Sequence, residues 1–176
     1  MKKVIIYLQI FILVLLSIFV FSPTRSYAKV YININAARIE KIRVAVPDLK
    51  NISAYGQHKK IEKNAANVIR HDLSVIGYFH IVNPLSYLEN AQYAHISAER
   101  IHYSNWSVLN TQYLITGEYA TSNGIIKMKF NLISVFTKKL LFSEKLEGMD
   151  NQYRFLANKF ADAVLKFLTG IKGPFP

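Results

Sequence analysis

The chain has 176 residues, 51% of them apolar, with seven glycines, five prolines and no cysteine. That is enough for one well-buried core of ordinary domain size and too little for two. The missing cysteine excludes thiol catalysis, zinc fingers and iron–sulfur chemistry. The formal net charge is +11, and setting aside Lys2, Lys3 and Arg25 leaves +8, a balance that bears on solubility and anionic partners rather than on fold.

Residues 1–28 have the pattern of a signal peptide. Met1-Lys2-Lys3 supplies a positive start, and Val4 to Phe21 is apolar apart from Gln9 and Ser17. Ser26-Tyr27-Ala28 then offers small residues at the two positions a signal peptidase reads, so cleavage is expected after Ala28. The competing reading is an uncleaved anchor, because the 18-residue apolar run approaches the roughly 20 residues that span a bilayer. Pro23 and the cleavage site favour removal. Either reading places the body of the protein outside the cytoplasm.

From Lys29 onward the pattern mixes strands and helices. Val30 to Asn35 alternates as a half-exposed strand does, and Ile42 to Val46 reads as a second strand stopped by Pro47. Ile61, Ala65, Val68, Ile69, Leu73 and Ile76 recur at helical spacing, with Gly77 at the expected C-cap. Phe79 to Val82 reads as a short strand, and this β-helix-β order favours parallel pairing with the strand at Ile42. Between Leu85 and Thr111 the pattern predicts two short helices, one over Ala98 to Ile101 capped by Ser97 and one around Trp106.

The second half is more regular. Tyr113 to Ala120 is a strand, Asn123-Gly124 a two-residue hairpin, and Ile126, Met128, Phe130 and Leu132 alternate with Lys127, Lys129 and Asn131. This predicts one core face and one wet face. Thr137-Lys138-Lys139 turns the chain into a strand from Leu140 to Leu146. Gly148 is then expected to release the chain and Asp150 to cap a last helix striped by Tyr153, Leu156, Ala157, Phe160, Ala161, Val164, Phe167 and Leu168. Gly170 and Pro174 end it.

Chemistry-bearing constellations are sparse. His58, His71, His80, His95 and His102 are scattered, and no pair has the i, i+4 spacing of a helical metal site, so no metal or cofactor is expected. There is no G-x-S-x-G elbow, and His71 and Asp72 are adjacent on a helix, where they point in different directions, as on a solvated edge. Neither a P-loop nor a dinucleotide fingerprint can be assembled. Asp48 stands at the carboxyl end of a predicted strand, a position for ligands in open α/β sheets, but a lone carboxylate there is far more often a turn or helix cap. Trp106 reads as a core residue, with a binding platform as the competing role. His58-Lys59-Lys60 with Lys63 reads as a solvated helix edge, and Lys138-Lys139 as a turn whose charge discourages edge aggregation; nucleic acid is not expected.

Several segments in order resemble the amino-terminal domain family of TolB, from the Tol–Pal system. These are Lys41-Ile42-Arg43-Val44-Ala45-Val46-Pro47-Asp48-Leu49-Lys50-Asn51, Gly77-Tyr78-Phe79, Ile96 to Ile101 followed by Trp106, Gly117-Glu118-Tyr119, and Leu168-Thr169-Gly170-Ile171-Lys172-Gly173 with Phe175. The resemblance covers nearly all of the mature chain. It implies a three-layer α/β/α unit with a mixed sheet, of the anticodon-binding-domain-like type, over residues 29–170. It further implies a non-enzymatic periplasmic protein-interaction module supporting outer-membrane integrity, cell division and protein import, including that of colicins. In the family the mature amino terminus is associated with TolA and a carboxyl-terminal β-propeller with the lipoprotein Pal.

Carried over by position, the TolA-binding segment falls on Lys29, Val30, Tyr31, Ile32, Asn33, Ile34 and Asn35, a stretch suited to strand addition. Two departures stand out. Residues 171–176 read as a truncated linker with no propeller after it, so the family's Pal-binding surface has no counterpart here. Asn158 occupies a place in the last helix where many relatives are expected to carry His. The alternatives left open are a stand-alone adaptor, or half of a split TolB whose propeller is a separate chain, and a small-molecule-binding α/β domain using the sheet edge near Asp48.

Overall fold

A computed structural model describes residues 40–53, 59–88 and 100–174. Its strands are β1 (Ile42–Ala45), β2 (Lys50–Asn51), β3 (Phe79–Ile81), β4 (Tyr113–Ser122), β5 (Ile125–Ser134) and β6 (Lys139–Met149). Its helices are α1 (Lys59–Val75), α2 (Tyr103–Val108) and α3 (Tyr153–Thr169). The predicted strand at Val30 to Asn35, the helix cap at Ser97 and most of the Ala98 to Ile101 helix lie outside the described residues.

The strands form one mixed sheet in the order β3-β1-β4-β5-β6, so the fold is α/β. β1 pairs in parallel with β3, as the β-helix-β order predicts, and also with β4. β2 pairs in parallel further along β4, at Lys50↔Glu118 and Asn51↔Tyr119, and so takes the place beside β4 that β1 has left. β4, β5 and β6 form an antiparallel meander. Asn123 (φ 51°) and Gly124 (φ 76°) make the β4–β5 turn, as two consecutive left-handed residues require in a tight hairpin. Lys138, also left-handed, opens into β6, the edge strand among the described residues.

The front face of the sheet carries the main core. Val44, Ile115, Tyr119, Met128, Phe130 and Leu132 meet Ile61, Ala65, Ile69 and Leu73 of α1 and Leu156, Phe160, Ala161 and Val164 of α3. Phe160 stacks on Phe130, with centroids 4.6 Å apart and planes 17° apart, and Phe142 packs tilted against Phe160 at 5.6 Å. Offset aromatic packing of this kind adds about 0.5–1.5 kcal/mol beyond area burial. Contacts between α1 and α3 advance in the same sense, Asn64 to Tyr153 and then Asp72 to Asn158, so the two helices run alongside each other in parallel.

The back face differs from the wet surface that alternation predicts. Ala45, Leu114, Ile133 and Val135 there form a second cluster with Val82, Ile101 and Trp106. Trp106 is 1% exposed and meets Tyr87 edge-on with centroids 5.0 Å apart, so the core role is realised and the platform role is not. Further along this face Thr116 and Asn131 are also buried, and the Asn131 amide donates to Thr116 Oγ1 at 3.4 Å across the β4–β5 register. The face becomes exposed at Lys127 and Lys145, with Lys127 paired to Glu147 at 3.4 Å.

The end of β6 also departs from expectation. Gly148 stays in the strand opposite Ile126 instead of releasing the chain. A Cβ there would lie 2.9 Å from the Gln152 side chain, whose Oε1 accepts the Met149 N–H at 3.0 Å. Asp150 caps nothing with its side chain; it begins a single 3-10 turn, and its N–H donates to the Gly124 carbonyl at 2.9 Å. Helix entry is therefore coupled to the hairpin through the backbone.

Pro47 produces the most consequential local arrangement. β1 ends before it, and the backbone groups of Val46 find partners outside the sheet. The Tyr87 hydroxyl accepts the Val46 N–H at 3.0 Å and donates to the Val82 carbonyl at 3.0 Å, replacing a rung between the diverging strands. Burial raises the Tyr87 pKa, which keeps the bridge protonated. Tyr87→Phe keeps the ring against Trp106 and removes only the bridge, leaving Val46 N–H and Val82 C=O without that partner. Unfolding in urea should show a loss of about 1–3 kcal/mol with an unchanged slope.

Candidate functional site

The residues proposed from the sequence to bind a partner, Lys29 to Asn35, and the expected cleavage point at Ala28 lie outside the described residues. Within the described residues, two polar arrangements on the helical side invite a functional reading.

The first centres on Asp48, in the loop between β1 and β2. Arg70, on the fourth turn of α1, donates from one Nη to Asp48 Oδ1 at 2.5 Å, from the other to Asn67 Oδ1 at 2.6 Å, and from Nε to the Val46 carbonyl at 2.8 Å. The Arg70 side chain is 12% exposed and that of Asp48 is 40% exposed. Asp48 thus fixes the guanidinium that bolts α1 to the loop after Pro47. That is the turn role, and the charge-assisted pair leaves the carboxylate engaged inside the protein.

The second is a cleft of about 370 Å³ between α1 and α3, lined by Asn64, Asn67, His71, Asp72, Arg154 and Asn158. Sequence reading placed His71-Asp72 on a solvated edge. His71 does point to solvent, but Asp72 is only 5% exposed. The helical period explains why: Asp72 follows Ile69 by three residues and Ala65 by seven, so it falls on the packed side of α1. That spacing was available in the sequence and was masked by the charge of the side chain.

Asp72 has a designed neighbour. With its amide nitrogen turned toward α1, the orientation its donors and acceptors require, Asn158 donates to Asp72 Oδ2 at 3.0 Å and to the Arg154 carbonyl at 3.1 Å. Burial raises the Asp72 pKa, the charge of Asp162 raises it further, and His71 partly offsets both. Glu144 on β6 is raised in the same way, by burial against the helical layer, with Lys159 opposing. The cleft lining holds no serine, threonine, lysine or cysteine nucleophile, and its buried carboxyl group is bound by an amide.

The histidines do not converge. His80 is exposed on β3 across from Arg43, and His102 precedes α2 without a side-chain capping bond. His58 and His95 lie outside the described residues. Among the described residues no group of three or more His, Asp or Glu side chains is arranged to hold a metal ion. No helix among them is long and apolar enough to cross a membrane.

Comparison with known proteins gives a consistent assignment. The family model of the TolB amino-terminal domain matches residues 30–141. The Tol-Pal system protein TolB of Syntrophotalea carbinolica is 30% identical over 165 residues, covering 94% of this chain and 38% of that protein. That of Desulfosudis oleivorans is 25% identical over 164 residues, covering 93% and 37%. The chain therefore spans less than two fifths of the length of these relatives. Among solved structures, TolB from Acinetobacter baumannii aligns with a TM-score of 0.56 at 20% identity over 77% of this chain and 30% of that one. The carboxyl-terminal domain of LpoB from Salmonella enterica aligns at 0.52 with 13% identity, over 65% and 87%. At these identities the structures show a shared fold alone.

The raised pKa of Asp72 fixes a direction for pH dependence. A carboxyl group raised in the folded state favours the proton there, so its stability penalty is absent below the ordinary value of 3.8 and grows as pH rises from 3.8 through the raised folded value. Asp72→Asn removes the charge and keeps an acceptor for Asn158. Its melting temperature should exceed that of the parent at pH 7, and the gap should close as the pH is lowered below 3.8.

Proposed function

The chain belongs to the TolB amino-terminal domain family, and on that premise we propose that it is a non-enzymatic protein-interaction module of the Tol–Pal system. The observation that carries this reading is the family match over residues 30–141, together with a fold shared with a solved TolB. The cleft chemistry agrees with it, since the buried carboxyl at Asp72 is engaged by Asn158 and Asp48 is engaged by Arg70.

In this reading residues 1–28 direct export and are removed after Ala28, and residues 29–170 form the working domain in the periplasm. The partner is a TolA-like inner-membrane protein, captured by Lys29 to Asn35 through strand addition. Roles in outer-membrane integrity, cell division and protein import follow from membership in that system. Pal is the partner of the propeller in the family, so capture of Pal would require a propeller.

Pull-down of TolA tests the assignment. Deleting Lys29 to Asn33 should lower TolA capture by about tenfold, roughly 1.4 kcal/mol, with an unchanged circular dichroism spectrum. Capture equal to that of the parent would refute the segment. Pal should be retained only when a propeller chain is added; retention by this chain alone would overturn that division of labour.

A further inference from the structure

The end of α3 is built to turn the chain back on itself. Gly170, left-handed at φ 76°, donates its N–H to the Lys166 carbonyl at 2.9 Å. Thr169 Oγ1 donates to the Leu165 carbonyl at 2.7 Å and accepts the Ile171 N–H at 3.2 Å. Together they reverse the chain direction within two residues.

The geometry of the return is simple. Asp162 lies eight residues before Gly170, about 12 Å along a helix axis at 1.5 Å per residue. Three extended residues from Gly170 cover about 10 Å. Gly173 accordingly arrives at the level of Asp162. A Cβ on Gly173 would overlap Oδ1 and Cγ of Asp162 and lie 3.0 Å from Oδ2. Gly173 is absent from the positive-φ residues, so its backbone conformation does not require glycine; the space does.

Asp162 is placed for this contact by its own helix. Its Oδ1 is buried, and it follows by four residues Asn158, which meets Asp72, so it stands on the side of α3 that faces α1. The returning segment therefore runs back along α3 as far as Asp162, one turn beyond Asn158 of the cleft.

We propose that Asp162 and Gly173 form a latch that holds the segment after α3 folded back along the helix and sets the direction in which the chain leaves at Pro174. The carboxylate seats against a backbone position where only hydrogen fits. Glycine serves here for close approach, in contrast to the hinge that a Gly-Ile-Lys-Gly-Pro run suggests. A side chain at Gly173, or the loss of the carboxylate, opens the latch and leaves the helix in place.

The bond between Lys172 and Gly173 is a tryptic site inside the latch, which makes opening measurable. Asp162→Ala leaves the sequence around that bond unchanged, and Gly173→Ala alters the contact from the other side. The 176-residue chain is treated with trypsin under native conditions and release of Gly-Pro-Phe-Pro is followed by intact mass, relative to cleavage in the Thr137–Lys139 turn and corrected with matched tail peptides. Each variant should lose the tail about tenfold faster, because native-state cleavage tracks the open population, while the thermal unfolding midpoint of Gly173→Ala stays at that of the parent. A parental rate in either variant would overturn the latch. So would a rate in the unsubstituted protein equal to that of the free peptide.

Discussion

The structure turns on the two backbone groups of Val46. Pro47 has no N–H to continue a ladder, so β1 must end there, yet Val46 is fully buried and neither its N–H nor its C=O is left to water. Both groups are satisfied by side chains from distant segments, the N–H by Tyr87 and the C=O by Arg70. Tyr87 thereby joins the β3 side of the sheet to the second core through Trp106, and Arg70 joins the first core through α1 to the loop that carries Asp48. With those two bonds made, β2 can take up pairing with β4 where β1 left off. The cost of an orphaned buried backbone group, about 1–3 kcal/mol, is large against the net stability of a domain this size, which explains why the loop is held from both faces of the sheet.

A second asymmetry follows from how the sheet is covered. Two long helices lie side by side on the front, and the apolar stripe of each meets continuous alternate positions of β4 and β5. Among the described residues the back is covered by the short α2 together with Val82, Tyr87 and Ile101, at the end of the sheet around Leu114 and Ile133. Arg43 closes that end by donating to the carbonyls of Leu109 and Asn110 just after α2, where a cation suits the negative end of the helix. Phe160 has the corresponding role in front, since it touches both Phe130 and Phe142 and so ties α3 to the central and edge strands together. Gly117 makes room for this: a Cβ there would stand 2.9 Å from the Phe130 ring. The Gly117-Glu118-Tyr119 segment thus has a packing reason apart from any likeness to relatives.

Periodicity made the long elements readable. The spacing of Ile61 to Leu73 and of Leu156 to Leu168 marked both long helices, and Asn123-Gly124 marked the hairpin, because each signal is local and strong. Asp72 was missed although its helical spacing was legible, and the other failures lie where a tertiary contact overrides the local pattern. Asn131 reads as solvent-facing by alternation and is buried, with Thr116 of the neighbouring strand as a hydrogen-bond partner on the same face. Gly148 and Asp150 read as a stop and a cap, whereas Gln152 and the hairpin carbonyl of Gly124 set their roles. Asp48 was legible as one of two roles, and only the arrival of Arg70 from the middle of α1 selected between them. Asp162 carried no local signal at all, since its partner is a glycine in the tail.

The pairing of Asp72 with Asn158 meets a buried carboxyl group with an uncharged donor. The asparagine amide donates at 3.0 Å and never carries a positive charge. A protonated His would lower the Asp72 pKa through charge, whereas the neutral amide leaves burial and Asp162 in command, and the pKa stays raised. The amide therefore supplies a hydrogen bond between α1 and α3 without adding a group that titrates near neutrality. At neutral pH the α1–α3 contact is held by packing and an amide, and the pH response of Asp72 is set first by its burial, with His71 opposing and Asp162 adding to the rise.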